Sequence, residues 1–228
     1  MYIIIGASSF IGVYTVDEFI KRGYEVTVTG RNNKFKDHYD KLGVNYVNLD
    51  LTNKTDFDQL PTNNVEGVIL LSGLLPANST VNLSVDENAA DYFNINTIGT
   101  INVLEYCRKN NIKRVIPNCS YADVRGSWGK KIIREDEPRN YEFSGDHAVY
   151  VFSKNAANDI LRYYNEQHGM KNAWFRFPPV YGVGPHDSLY VNGIKKTSGL
   201  KIFIDKAKNG DPITIFGNPN LRAPLITT

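Results

Sequence analysis

Short runs of apolar, often β-branched residues alternate with longer segments of helical periodicity along most of the chain. The apolar runs predict six buried strands, over residues 2–5, 25–29, 44–48, 67–71, 114–118 and 173–177. The clearest helical segments cover residues 10–22, 86–110 and 149–168. Strands that alternate with helices in this way are typical of a parallel sheet built from βαβ units.

The order of these elements predicts an α/β protein with a Rossmann-type, doubly wound parallel sheet and helices on both of its faces. The pattern changes after Pro185, where the sequence predicts one further helix over residues 200–208 and one strand over residues 212–216. We therefore expect a Rossmann domain over residues 1–182 and a small C-terminal lobe over residues 183–228. In sheets of this kind, ligands bind at the carboxyl ends of the strands.

Composition and charge narrow the classes of partner. The net charge is +2 with no long basic block, which argues against nucleic acid as the main partner. The two cysteines do not suggest a disulfide framework, and no histidine lies at ligand spacing from another histidine or a cysteine, so we expect no metal site. The longest apolar run is too short to span a bilayer and no signal peptide is visible, so we expect a cytoplasmic location without membrane contact.

A glycine-rich turn, Gly6-Ala-Ser-Ser-Phe-Ile-Gly12, joins the first predicted strand to the first predicted helix. A dinucleotide pyrophosphate needs backbone N–H donors, a positive helix end and no β-carbon in the way. Gly6 permits the tight turn, Gly12 allows close packing of the helix on the strand, and the hydroxyl of Ser9 could face a phosphate in place of a middle glycine. Glycine motifs alone give false positives, and the alternative is an ordinary strand-to-helix turn. The position of the motif favours NAD(P).

The residues after the second and third predicted strands bear on the choice of cofactor. An acidic residue after the second strand would bind the adenosine 2′-hydroxyl of NAD, but the sequence there is Thr-Gly-Arg-Asn. Arg31 could instead pair with a 2′-phosphate, so we favour NADP; the alternative is a surface arginine. Asp50 and Leu51 are predicted to flank the adenine, although an aspartate in a loop often only forms a turn.

Tyr150 and Lys154 lie four residues apart at the start of the long helix 149–168, and therefore on one face of it. A neighbouring lysine cation lowers the pKa of a tyrosine, so Tyr150 could act as an acid or base on a substrate alcohol or ketone. Ser120, after the fifth strand, could hydrogen-bond the reacting oxygen. The alternatives are an accidental surface pair and a serine that closes a strand. Cys119 is interpreted as a buried thiol, because no histidine is near it in the sequence.

With these features in place, the sequence resembles the extended short-chain dehydrogenases/reductases, and within them the NAD-dependent epimerase/dehydratase family, in the branch that includes UDP-glucose 4-epimerase. The resemblance runs from residue 1 to about residue 222. Beyond the turn and the Tyr/Lys pair, it is carried by the small residues Ser72 and Gly73 after the fourth strand and by segments 96–105, 176–182 and 208–217.

The resemblance implies a nucleotide-sugar substrate and hydride transfer between a sugar carbon and the nicotinamide. It implies that Tyr150 is the acid/base, that Lys154 binds the nicotinamide ribose, and that Ser120 orients the substrate oxygen. A homodimer through the helices at 86–110 and 149–168 is also implied. The implied cofactor contacts are Gly6, Ser8, Ser9, Phe10, Ile11, Gly12, Arg31, Asp50, Leu51, Leu71, Ser72, Gly73, Asn96, Tyr150, Lys154, Phe177 and Val180, and the implied substrate contacts are Ser120, Tyr150, Pro179 and Arg222.

The sequence departs from the family pattern in several places. Pro179 stands where many sugar epimerases have an asparagine, and Ser120 is followed by Tyr-Ala-Asp rather than by the carboxylates that dehydratases use. The family continues past Arg222 with the rest of a substrate lobe, so residues 183–228 would form an incomplete one. The sequence predicts an NAD(P)-dependent nucleotide-sugar epimerase or 4-keto reductase. The alternatives are an NAD(P)-binding protein without turnover and a dehydrogenase of a non-nucleotide alcohol.

Overall fold

The computed structural model describes residues 1–82, 88–145 and 147–215, together with the backbone of Ile226–Thr227. Three sequence-based predictions lie wholly or partly outside these residues. They are the first two residues of the predicted helix 86–110, the last residue of the predicted strand 212–216, and Arg222 as a substrate contact.

The central sheet has six parallel strands in the order β3-β2-β1-β4-β5-β6. Their bounds are Tyr2–Ile5 (β1), Val26–Gly30 (β2), Asn45–Asn48 (β3), Gly67–Leu70 (β4), Val115–Ser120 (β5) and Phe175–Phe177 (β6). The first three strands are added in one direction and the next three in the other, so the order reverses between β1 and β4. This confirms the predicted Rossmann-type fold. In such sheets ligands bind where the order reverses, which in this chain is at the carboxyl ends of β1 and β4.

Within the described ranges, six α-helices connect or flank the strands. Their bounds are Phe10–Lys21 (α1), Lys36–Lys41 (α2), Ala89–Tyr92 (α3), Gly99–Lys109 (α4), Ala148–His168 (α5) and Gly199–Asn209 (α6). The predicted helix 86–110 is not a regular α-helix throughout, because a π-helical segment, Phe93–Ile98, joins α3 to α4. None of the helices in this part of the chain is long and apolar enough to cross a membrane.

Alternation along the strands divides the apolar core between the two faces of the sheet. Ile3 and Ile5 of β1 belong to a cluster that also contains residues of α4 and α5, whereas Ile4 belongs to a second cluster with Val16 of α1 and Tyr39 of α2. Successive side chains of a strand point to opposite faces, so one apolar run serves both layers. The continuous Ile-Ile-Ile run is therefore the sequence signature of a strand covered on both sides.

The chain after β6 differs from its prediction. Residues 212–215 form no strand, so the prediction over 212–216 is wrong there; these residues are exposed. Instead a two-residue strand, Val180–Tyr181 (β7), pairs with Ile226–Thr227 (β10), and Ser188–Val191 (β8) forms a hairpin with Ile194–Thr197 (β9). The sequence held a signal for this hairpin: Asn192 and Gly193 both have positive φ, 49° and 74°, and an Asn-Gly pair favours this turn.

Candidate active site

The turn between β1 and α1 requires glycine at both of its ends. Gly6 has a φ of 90°, and a β-carbon on it would lie 2.7 Å from the backbone nitrogen of Ser72. A β-carbon on Gly12 would overlap the carbonyl oxygen of Gly6 and lie 2.8 Å from the carbonyl carbon of Ala7. The roles predicted for Gly6, a tight turn, and for Gly12, close packing of helix on strand, therefore match the geometry. The contact with Ser72 also joins this turn to the end of β4.

The amino end of α1 presents unused hydrogen-bond donors. The Ser9 hydroxyl caps the helix by accepting a hydrogen bond from the Gly12 backbone N–H at 3.0 Å. The backbone N–H groups of Phe10 and Ile11 have no hydrogen-bond partner among the residues that the structure describes. A helix amino end with free N–H groups and a positive dipole attracts anions. Ser9 thus has a capping function in addition to the phosphate contact predicted for it.

The segment that follows β7 lies against this turn. The Tyr14 hydroxyl donates a hydrogen bond to the Val183 carbonyl, and a β-carbon on Gly184 would overlap the Phe10 ring. The Nε2 atom of His186 lies 3.2 Å from the Ser8 carbonyl oxygen. Residues 183–186 therefore form one wall beside the amino end of α1.

The three predicted acid/base residues come together at the carboxyl end of β5. Ser120 ends β5, Tyr150 lies in the first turn of α5, and a hydrogen bond from Ser120 favours the ionised form of the Tyr150 phenol. Lys154 lies one turn further along α5 and donates from its Nζ to the Asn118 Oδ1 at 3.3 Å. Asn118 was not among the predicted site residues. The signal was available, because Asn118 and Ser120 are two residues apart on one strand and therefore share a face.

Burial sets the protonation of this site. Burial raises the pKa of Tyr150 to about 12, and the hydrogen bond from Ser120 opposes part of that rise. Burial also lowers the pKa of Lys154, whose side chain is only 9% exposed. Without a bound dinucleotide, desolvation of the phenolate is thus the largest influence on the pKa of Tyr150, and the lowering expected from Lys154 stays a prediction. Tyr150 consequently keeps its proton at neutral pH.

The turn after β4 connects the acid/base residues to the glycine-rich turn. A β-carbon on Gly73 would lie 3.1 Å from the Asn96 Oδ1 and 3.5 Å from the Lys154 Nζ. A β-carbon on Gly6 would meet Ser72 and one on Gly73 would approach Lys154, so these residues are neighbours along the carboxyl edge of the sheet between α1 and α5. Both halves of the candidate site therefore open onto the same edge.

Asn96 holds this connection in place. Its Oδ1 accepts from the Leu74 backbone N–H at 2.8 Å, and its Nδ2 donates to the Leu74 carbonyl at 2.8 Å and to the Ser153 hydroxyl at 2.9 Å. Asn96 is 2% exposed and lies in the π-helical segment, which packs against α5. Its amide is thus used to fix the turn after β4, and the cofactor contact predicted for it stays a prediction.

The other residues predicted for the cofactor have varied surroundings. Arg31 is exposed directly after β2. Asp50 is exposed, and its Oδ1 accepts hydrogen bonds from the Thr52 backbone N–H and hydroxyl at 2.8 and 2.7 Å. These bonds form a turn, which was the alternative to the predicted contact with the adenine. Leu51 is 6% exposed, and a β-carbon on Gly99 would lie 2.9 Å from its Cβ, so it supports the close approach of α4.

The residues predicted near β4 and β6 lie at the edges of this site. Leu71 is buried, and Pro179 is partly exposed in the connection between β6 and β7. Phe177 and Val180 face α1 across a groove of about 340 Å³, which is also lined by Ile11, Tyr14, Thr15, Glu18 and Phe19. These positions extend the site toward the segment that follows β6.

Both cysteines are buried. The Cys119 Sγ lies 2.6 Å from the Asn158 Oδ1, and burial raises the pKa of Cys119 to about 11. Burial raises the pKa of Cys107 as well. A thiol with a raised pKa is a poor nucleophile, which agrees with the interpretation of Cys119 as a buried thiol.

Comparisons with known proteins agree with this fold. The profile of the NAD dependent epimerase/dehydratase family matches residues 2–226. A Methanocaldococcus jannaschii protein named "Putative UDP-glucose 4-epimerase" is 30% identical over 226 residues, which cover 96% of this chain and 67% of that protein. UDP-glucuronate 4-epimerase 3 of Arabidopsis thaliana is 27% identical over 221 residues, which cover 88% of this chain and 48% of that protein.

Among solved structures, the fold is similar to that of the UDP-glucose 4-epimerase of Thermus thermophilus in complex with NAD. The TM-score is 0.72 at 24% identity, with 93% of this chain and 64% of that chain covered. The chain thus spans about half to two thirds of the length of these three relatives. The family profile nevertheless matches nearly all of the chain, from residue 2 to residue 226. The chain therefore belongs to the NAD dependent epimerase/dehydratase family.

Proposed function

We propose that this chain binds a nicotinamide dinucleotide and carries the acid/base site of an enzyme that oxidises or reduces a carbon of a nucleotide sugar, as an epimerase or a 4-keto reductase. The observation that supports the proposal is that Gly6, Ser72, Gly73 and Lys154 are neighbours along the sheet edge where Ser120 meets Tyr150. The substrate class is taken from the relatives, whose names include UDP-glucose and UDP-glucuronate epimerases.

The residues at the turn fit a dinucleotide. The free N–H groups of Phe10 and Ile11 would hold the pyrophosphate, and Gly6 leaves the space that a β-carbon would fill. Lys154 would bind the nicotinamide ribose from its position between Gly73 and Asn118. When bound, the nicotinamide supplies a hydride acceptor or donor.

The acid/base residues complement that chemistry. Tyr150 keeps its proton at neutral pH, so it would donate this proton to a keto oxygen as that carbon is reduced. In the reverse direction the hydroxyl proton of the sugar would return to the Tyr150 phenolate oxygen. Ser120, which hydrogen-bonds the phenol, would hold the reacting oxygen beside it.

We further propose that the cofactor is NADP rather than NAD. β2 ends at Gly30, which has no side chain to bind a 2′-hydroxyl, and the next residue is the exposed Arg31. A guanidinium group is well suited to pair with a 2′-phosphate. The nearest following cation in the sequence is Lys34, so positive charge prevails in this loop until Asp37.

The proposal is tested by incubating the protein with NADP(H) or NAD(H) and a panel of UDP-, GDP- and dTDP-sugars, with detection of sugar products and of cofactor absorbance. A new epimer without net change in cofactor indicates an epimerase, and stoichiometric oxidation of NADPH by a keto-sugar indicates a reductase. Dinucleotide binding without turnover of any sugar would contradict the enzymatic part and favour a binding role.

Two variants assign the activity to this site. Tyr150→Phe removes the proton donor and should lower kcat by about 10²–10⁴-fold while dinucleotide affinity is retained. The matched control is Tyr163→Phe on the same helix, since Tyr163 is 51% exposed and lies outside the site. Full activity of Tyr150→Phe would refute the assigned mechanism.

A further inference from the structure

Gly30 is crowded by a tyrosine from the neighbouring strand. A β-carbon on Gly30 would overlap the hydroxyl oxygen of Tyr46 and lie 3.2 Å from its Cζ atom. The backbone of Gly30 does not lie in the positive-φ region that favours glycine. The tyrosine, and not the backbone conformation, therefore excludes a side chain at this position.

Tyr46 is held where it is by several contacts. Its hydroxyl donates to the Asn32 carbonyl at 2.5 Å, and its ring stacks on Tyr39 with a centroid distance of 5.9 Å and an interplanar angle of 17°. Tyr39 is fully buried and donates to the Ala7 carbonyl at 2.7 Å. Tyr46 itself is 8% exposed. It cannot turn away from Gly30 without loss of the stacking and of a partly buried hydrogen bond.

The Tyr46 hydroxyl thus occupies the place from which a carboxylate at the end of β2 would extend. The same place borders the glycine-rich turn, because a β-carbon on Gly30 would also lie 3.4 Å from the Ser8 Oγ. The first acidic residue that follows β2 in the sequence is Asp37, which lies in α2. The charged residue nearest to Gly30 in the sequence is therefore the cation Arg31.

We propose that Tyr46 makes glycine necessary at the end of β2, and that Arg31, with no carboxylate beside it, then selects a dinucleotide with a 2′-phosphate. This inference rests on the proposed dinucleotide binding, and it adds the residue that keeps a carboxylate out of the position after which Arg31 follows. A neutral phenol adds no negative charge to the end of β2, so the 2′-phosphate meets the cation of Arg31 without electrostatic opposition. A free 2′-hydroxyl would find no ionised acceptor there.

The test compares Gly30→Asp, Tyr46→Phe and the double variant in fluorescence titrations with NADPH and NADH. Tyr46→Phe removes only the hydroxyl that the new β-carbon would overlap. We expect the wild type and Tyr46→Phe to prefer NADPH, Gly30→Asp alone to bind both dinucleotides poorly, and the double variant to prefer NADH by about tenfold or more. NADH binding by Gly30→Asp alone that equals the double variant, or a wild-type preference for NADH, would overturn the inference.

A second set of variants measures thermal stability instead of dinucleotide binding, and it applies even where the aspartate variants do not fold. Gly30→Ala should lower the melting temperature more in the presence of Tyr46 than together with Tyr46→Phe, and equal losses would overturn the proposed exclusion. Gly199→Ala is the control, because a β-carbon there meets no atom within 4 Å. A wild type that binds neither dinucleotide would instead refute the proposed function, and this second set of variants would still report on the contact between Tyr46 and Gly30.

Discussion

Replacement of Gly12 by alanine tests the close packing that the glycine-rich turn depends on. The new β-carbon would overlap the Gly6 carbonyl oxygen and lie 2.8 Å from the carbonyl carbon and oxygen of Ala7. All three are backbone atoms of the turn itself, so no flexible side chain can move aside. The helix must shift away from β1, which displaces the N–H groups of Phe10 and Ile11 from the pyrophosphate that we propose they bind.

Two opposing effects decide how much Gly12→Ala changes the free energy of unfolding. Alanine is favoured over glycine within a helix by about 1 kcal/mol. Overpacking of a well-packed site costs about 1–3 kcal/mol and occasionally more, and contact with backbone atoms puts Gly12→Ala at or beyond the upper end of that range. We therefore expect a net loss of about 2 kcal/mol or more, which is roughly 4–8 °C or more in melting temperature for a domain of this size, together with weaker dinucleotide binding.

The assay is thermal unfolding with and without NADPH, compared with Gly199→Ala. A β-carbon on Gly199 meets nothing within 4 Å, and Gly199 begins α6, so this control should leave stability unchanged or slightly higher. A Gly12→Ala variant as stable as the wild type, with the same stabilisation by NADPH, would refute the packing argument.

Three further predictions concern Tyr150, the two cysteines and Asn118. The pKa of Tyr150 is near 10 in an unfolded chain and about 12 in the folded protein. The free energy of unfolding that neutral Tyr150 contributes is therefore complete below pH 10 and is lost as the pH rises to 12. Tyr150→Phe should therefore reduce the loss of unfolding free energy at alkaline pH by about 1–3 kcal/mol, as measured by urea unfolding from pH 9 to 12. If the dependence of the unfolding free energy on pH is the same as in the wild type, the raised pKa is contradicted. Cys107 and Cys119 should react with a thiol reagent only after unfolding, and rapid labelling of the native protein would contradict their burial. Asn118→Leu removes the oxygen that accepts a hydrogen bond from Lys154. It should lower the free energy of unfolding by about 1–3 kcal/mol and shift the alkaline limb of the pH–activity profile. Loss of stability with an unchanged pH–activity profile would indicate a structural role alone.

Local sequence signals predicted the sheet because they depend on residues that are neighbours in the chain. Apolar runs located all six strands of the sheet to within about two residues. For β1, three consecutive isoleucines followed by a glycine were enough to predict the strand and its end. The hairpin of β8 and β9 was missed although Asn192-Gly193 signals it. The strand predicted over 212–216 failed over residues 212–215, because an apolar run forms a strand only where another strand can pair with it.

The candidate site was only partly predictable for the same reason. The types and spacing of Gly6, Gly12, Tyr150 and Lys154 carry information within a few residues, and the structure brings these residues to one edge. Spacing does not report burial, so the raised pKa of Tyr150 could not be read from its distance to Lys154 in sequence. The contacts of Tyr46 with Gly30, and of Asn96 with the turn after β4, join elements far apart in the chain and required the fold.

The central claim is that one dinucleotide extends along the sheet edge from the amino end of α1 to Tyr150, and a crystal structure of the complex with NADP⁺ tests it most directly. We predict the pyrophosphate on the backbone N–H groups of Phe10 and Ile11, the 2′-phosphate beside Arg31, and the nicotinamide ribose within hydrogen-bond distance of Lys154. A dinucleotide bound away from Tyr150, or one whose path is blocked by residues 183–186, would contradict the account.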